Sequence, residues 1–205
     1  MALNFCNNNS LSAITSIPAA IGGTALNLIS TQTASSSSNL SFTSGIDSTY
    51  KEYIFRFYHI HPQTNGVDFT FNLSTDGGSN FNVTKTSTFF FSYHTESGSS
   101  SGKSQDNNSD LAQSTNYQVI SWDPTVGLAN DDDHGLSGIL HLFEPSSTVF
   151  AKHFLAQAST THINDGNFTN YIAGYGNTTS AINAVDFKMS SGNIDAGVIK
   201  LYGVS

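Results

Sequence analysis

Cysteine is all but missing: Cys6 is the only one in 205 residues, so no intrachain disulfide can form and the fold must stand on packing. Its place near the N-terminus argues against a buried or catalytic role. Charge is scarce as well, at 11% of residues, and the 7 basic side chains are outnumbered by 15 acidic ones, for a net charge of -8. The basic residues form no patch, which argues against nucleic-acid binding, because phosphate neutralisation needs clustered Lys and Arg. No apolar run approaches the roughly 18–20 residues that span a bilayer, so no membrane insertion is expected. The first residues also lack the basic-then-apolar order of a secretory signal. Nowhere do apolar residues recur at helical spacing for long, which excludes a helical domain.

Motifs that carry chemistry are equally sparse. Glutamate occurs only at positions 52, 96 and 144, and most aspartates sit in turn-like sequence, so no pair of carboxylates stands out for glycoside hydrolysis. Asp186 alternates with Phe187 on a predicted strand and is expected to face solvent. No Gly-x-Ser-x-Gly elbow is present, and the glycines lie at turns instead of between a strand and a helix, where they would cradle phosphate. The expectation is a non-enzymatic protein without a cofactor.

What the chain does have is aromatic and hydroxyl-bearing residues. Phe occurs 15 times and Tyr 8 times, types that suit half-buried pleated surfaces, and Ser, Thr, Asn and Gly fill the polar positions. This balance suits an extracellular or particle-bound surface. Residues 1–36 read as an extended docking arm: Leu11, Ile14, Ile17 and Ile21 could make a short helical face, but Pro18 interrupts it. From Leu40 onward period-2 segments follow one another, over 40–42, 50–60, 67–73, around Phe81 and Val83, over 86–94, 117–122, 138–143, 149–156, 168–173, 182–189 and the closing stretch. That closing stretch, Val198 to Val204, is apolar on both faces and is expected inside a sheet, with Gly197 supplying a bend or bulge. Roughly eight to ten strands joined by turns predict an all-β fold: an antiparallel β-sandwich, jelly-roll-like, over 37–205, with the extended N-terminal arm ahead of it. Two polar stretches, 96–116 and 123–135, read as long loops.

Candidate binding residues fall in or beside those loops and at one strand end. His59-Ile-His61 would place two rings on one side of a strand, a start for a metal site, although Pro62 ends the strand there and no third ligand is near. No metal is assigned. Asp131, Asp132 and Asp133 form an acidic run without the spacing of a calcium loop. Tyr117, Trp122 and Asp123 combine an aromatic surface with a carboxylate, as sugar recognition would need. His141 and His153 are expected to face one another across a hairpin.

Several segments together resemble a family of virion structural proteins of marine bacteriophages. They are Phe42-Thr-Ser-Gly-Ile-Asp-Ser-Thr-Tyr50 with Glu52-Tyr53, Ile60-His-Pro62, Ser137-Gly-Ile-Leu-His-Leu-Phe143 with Pro145-Ser-Ser-Thr148, and Lys152-His-Phe154. Ala173-Gly-Tyr175 with Asn177-Thr-Thr-Ser-Ala-Ile182, and Phe187 to Asp195 through Leu201-Tyr-Gly-Val204, complete the set. The resemblance runs from about residue 40 to the end. It implies a virion location as a capsid decoration, fibre or tail-associated protein, with other virion proteins as partners. A homo-oligomer, favoured as a trimer, is expected, and host surface glycan is a second candidate partner through the long loops. No catalytic residue is implied.

Overall fold

A computed structural model of the chain describes residues 25–121, 127–162 and 165–205. Among them are twelve strands and no helix: β1 Leu26–Ser37, β2 Leu40–Phe42, β3 Glu52–Pro62, β4 Phe69–Ser74, β5 Lys85–Thr95, β6 Ser101–Gln105, β7 Gln118–Val119, β8 Leu136–Phe143, β9 Lys152–His162, β10 Gly166–Gly176, β11 Ala184–Met189 and β12 Ile194–Val204. Every pairing is antiparallel. One sheet has eight strands in the order β1-β12-β3-β8-β9-β10-β5-β6, and the other has four in the order β2-β11-β4-β7. The two face one another as a sandwich.

The inner faces follow from period-2 patterning. On β4, Phe69, Phe71 and Leu73 are fully buried, and on β3 Tyr53, Phe55 and Phe57 meet them. Phe187 of β11 sits among these rings. Its centroid lies 5.8 Å from Phe69 in a stacked pair, and 5.2 and 5.3 Å from Phe55 and Phe57 at steep angles. Such contacts join the small sheet to the large one.

The closing strand β12 lies between β1 and β3, an interior strand as its two apolar faces predict. Ile194, Ile199 and Leu201 are fully buried on the core side. The outer side is half-covered by neighbours, with the Arg56 guanidinium 5.5 Å from the Tyr202 ring and the Lys200 amine 5.5 Å from the Tyr58 ring. Gly203 is required by close approach: a Cβ there would stand 2.1 Å from the Tyr50 ring.

Five sequence expectations are corrected. The arm was expected to run through residue 36, but Leu26–Ser37 is β1, hydrogen-bonded along β12 from Leu26↔Val204 to Ser37↔Ile194. Its Ser and Thr positions pass for linker in sequence, yet an edge strand needs only one buried face. Residues 1–24 lie outside the described residues. The strand expected around Phe81 and Val83 is irregular chain that keeps one bond to β4, Val83 N–H donating to Leu73 O at 3.3 Å, while β7 takes the same edge at Thr70 and Phe71. The turn before it is instead organised by Asp76, whose carboxylate accepts from Ser74 Oγ and Asn80 Nδ2 and is held down to about 2 by those bonds. The loop expected over 96–116 contains β6, paired with β5 from Phe90↔Gln105 to His94↔Ser101, and then a stretch with buried Asp106 and Ser109. Polar residues there are satisfied by one another instead of by water: Ser109 Oγ donates to Asp106 Oδ2 at 2.5 Å. Asp186, expected at the surface, is buried. His141 lies opposite Leu155, two positions out of register with His153, and its Nδ1 is 2.5 Å from Glu52 Oε1.

The β8–β9 hairpin and the interior place of β5 agree with the sequence patterning. Of the aromatic run on β5, Phe89 and Phe91 face the core and Phe90 faces outward.

Replacing Phe187 by Ala should lower unfolding free energy by about 3–5 kcal/mol, read from denaturant midpoints at unchanged slope. Leu201→Asp places an unpaired carboxylate in the dry interior and should abolish folding; a soluble variant with a native circular-dichroism spectrum would show that β12 is misplaced.

Candidate functional site

The end of β3 is where the sheet departs from regular pairing. Tyr58 pairs with Val198 and His61 with Ala196, so β3 carries an extra residue against β12, and its register with β8 also shifts between Phe57 and Ile60. His59 takes φ 47° in this bulge, and Gly197 opposite takes φ 124°. A Cβ on Gly197 would stand 2.7 Å from His59 O and 2.9 Å from Ile60 Cα, so the bulge requires glycine there. The bulge turns His59 and His61 toward a cleft of ≈ 700 Å³, closed on its other sides by Asp132, Asp133, His134 and Asp195.

Three imidazoles and several carboxylates therefore converge. His61 Nε2 lies 3.1 Å from the Asp131 carbonyl oxygen, and its Nδ1 is 3.8 Å from Asp195 Oδ2. His134 has a side chain only 8% exposed, with Nδ1 3.2 Å from Asp133 Oδ1 and 3.8 Å from Asp131 Oδ2, and Nε2 3.6 Å from Asp165 Oδ1. That Nδ1 is buried and makes no hydrogen bond. Among the described residues no group of three or more His, Cys, Asp or Glu is arranged to hold a metal ion. The cleft is lined by ring nitrogens, carboxylates and the hydroxyls of Ser137, Ser159 and Thr161, an arrangement that can hydrogen-bond a hydroxyl-rich or cationic molecule.

The residues that sequence reading treated as two separate candidates, the His59–His61 pair and the Asp131–Asp133 run, thus meet in one place. Asp195, His134 and Asp165 were missed. The pairing of Ala196 with His61 brings Asp195 there, and only the register of β12 on β3 could have signalled it.

Tyr117 takes no part in this cleft. Its hydroxyl donates to Asp186 Oδ2 at 2.9 Å, and Lys188 Nζ lies 4.1 Å from its ring centroid. Asp186 Oδ1 also accepts from Asn39 Nδ2 at 2.7 Å and from Ser41 Oγ. Burial, together with the Asp186 carboxylate, pushes the Tyr117 hydroxyl well above the ordinary phenol range. These contacts make Tyr117 a support of the small sheet's outer face. Trp122 and Asp123 lie outside the described residues.

Tyr117→Phe should cost roughly 1.5–3 kcal/mol of stability, the size of one hydrogen bond to a charged acceptor, measured by chemical denaturation. No change in midpoint would mean that the Tyr117–Asp186 bond contributes nothing net.

Compared with family models, with curated proteins and with solved structures, the chain finds no match in any of the three.

Proposed function

We propose that the chain is a non-enzymatic structural protein of a bacteriophage virion, a capsid decoration, fibre or tail-associated component that assembles as a homo-oligomer, with a trimer as the favoured state. The observation that carries the assembly reading is the outer face of the large sheet. The small sheet covers the inner face only, and the opposite face presents Leu28, Phe90 and Leu155 at 56%, 49% and 49% exposure. Phe90 stacks on Tyr171 at 4.9 Å, and Ile139 and Ala173 lie in the same shallow depression beside His141 and Gln157. The apolar patch around Phe90 and Leu155, with Leu28 apart from it on β1, fits contact with another protein surface better than contact with water. Support for the virion setting comes from the sequence resemblance over residues 40–205.

Strand order supports a jelly-roll-like reading of the sandwich. The chain alternates between sheets over β1 to β5, and the last two strands return between the first four, β11 between β2 and β4 and β12 between β1 and β3. In this reading the docking arm is the segment ahead of β1, residues 1–24, and it engages other virion proteins.

Phe90→Lys combined with Leu155→Lys should leave the fold intact and weaken self-association about tenfold or more, measured by sedimentation across a concentration series. A full-length protein that is monomeric at every concentration would overturn the oligomer. Deleting residues 1–24 should preserve cooperative unfolding and abolish incorporation into particles, whereas deleting 1–36 should also remove β1 and lower stability.

A second reading, recognition of host surface glycan, is favoured by one observation, the polar cleft of His59, His61, His134 and Asp195. Purified protein should then bind host cells, and His61→Ala or Asp195→Ala should reduce that binding several-fold. Cell binding indifferent to both changes would remove the cleft as a receptor site.

A further inference from the structure

Two lysines are wholly buried on the core side of the large sheet: Lys85 at the start of β5 and Lys152 at the start of β9, each paired in register with Gly176 of β10 between them. Their surroundings differ in one respect. Lys152 Nζ donates only to backbone, to Phe150 O at 2.6 Å and Thr178 O at 3.2 Å. Lys85 Nζ donates to Val83 O at 2.9 Å and also touches the side-chain carboxamide of Asn72, through Oδ1. Asn72, on β4 of the small sheet, is itself fully buried, and its Nδ2 donates to Phe81 O at 2.6 Å and Thr115 O at 2.9 Å.

We propose that Lys85 and Asn72 form an intramolecular isopeptide cross-link, a self-made covalent bond between the two sheets. The Lys85 Nζ lone pair attacks Asn72 Cγ, and a C–N bond forms. A proton passes from Nζ to Nδ2, the Cγ–Nδ2 bond breaks, and one ammonia leaves. Atoms and electrons balance without oxidant, reductant or second substrate. The product is a secondary amide whose N–H can keep Val83 O as acceptor.

Three features support this chemistry. The amine and the carboxamide are both fully buried and held in contact, so the reaction is intramolecular and shielded from bulk solvent. Among the described residues no carboxylate pairs with the Lys85 ammonium, and burial brings its pKa down to about 7, so a substantial fraction of the amine is neutral and nucleophilic near neutral pH. Each hydrogen of the leaving nitrogen already points at a carbonyl oxygen, which orients the carboxamide. Because no carboxylate among the described residues touches either group to relay the proton, the bond forms as a slow maturation of the folded chain. A link from β4 to β5 gives this chain a covalent staple that its single cysteine cannot supply.

The test is intact-mass spectrometry of the purified full-length protein, followed by digestion and fragment sequencing. The expected result is a mass below the sequence value by one ammonia and a branched peptide joining the segments that contain Asn72 and Lys85, with Lys152 recovered in linear form. Lys85→Arg should restore the full sequence mass. The proposal is overturned if aged, folded protein keeps the full mass with Asn72 and Lys85 in separate linear peptides. It is equally overturned if the lost ammonia maps elsewhere, such as a succinimide at Asn65-Gly66. The branched peptide is sought in the unaltered chain, so the result does not depend on any variant folding.

Discussion

The contact on which both sheets depend is the ring of Phe187 against its neighbours. It touches Phe42 of β2, Phe55 and Phe57 of β3, and Phe69 and Phe71 of β4, at centroid distances between 5.2 and 6.4 Å. Four of the five contacts are steep or tilted and one is stacked, the geometries that the ring quadrupole favours, each worth about 0.5–1.5 kcal/mol beyond area burial. A small sheet of four short strands has little to hold it in place by hydrogen bonding alone. Aromatic packing of one β11 side chain against three other strands fixes its distance and angle to the large sheet. Everything polar on its far side inherits that placement.

Phe187 also ties the core to the order in which the chain can assemble. β11 and β12 are the last strands, and each inserts between two of the first four. The core therefore closes only when the C-terminal segment arrives, and the pairings that complete it span most of the sequence. Long-range closure of this type makes folding slow and leaves sheet edges open until the end. Meanwhile β8, β9 and β10 form a meander of local hairpins, which is the part able to form early.

Period-2 patterning made the strands themselves legible, since one face of each is buried in the core: Val67 to Leu73, Gly138 to Phe143 and Val198 to Val204 could be read directly. Partnership was not legible. β1 reads as part of an extended arm because Ser and Thr alternate with only a few apolar residues on it, and an edge strand leaves no stronger mark. Residues 101–105 are exposed at every position and form a strand only because β5 offers an unpaired edge. Of the cleft, His59, His61 and the Asp131–Asp133 run were visible as separate clusters, and Gly197 as a bulge. Their convergence depends on a one-residue slip between β3 and β12, which moves side chains without changing any local pattern.

The same limit explains why Asp186 reads as solvent-facing in the sequence and is buried in the structure. Alternation correctly put Asp186 on the face away from the core, but that face is not in water. Asn39, Ser41 and Tyr117 surround its carboxylate, Asn72 is covered by the chain at Phe81 and Thr115, and Gln118 Nε2 donates to Ser109 O at 3.0 Å. The polar segments after β4 and β6 therefore act as a third, hydrogen-bonded layer over the small sheet. Among the described residues the large sheet has no such layer, and its outward face keeps Leu28, Phe90 and Leu155 exposed. One outer face has its polar groups bonded to one another and the other exposes apolar side chains, so the molecule has a direction. Under the proposed assembly, that asymmetry selects the large sheet as the side that meets neighbours, because desolvating apolar rings favours contact while breaking a satisfied polar layer opposes it.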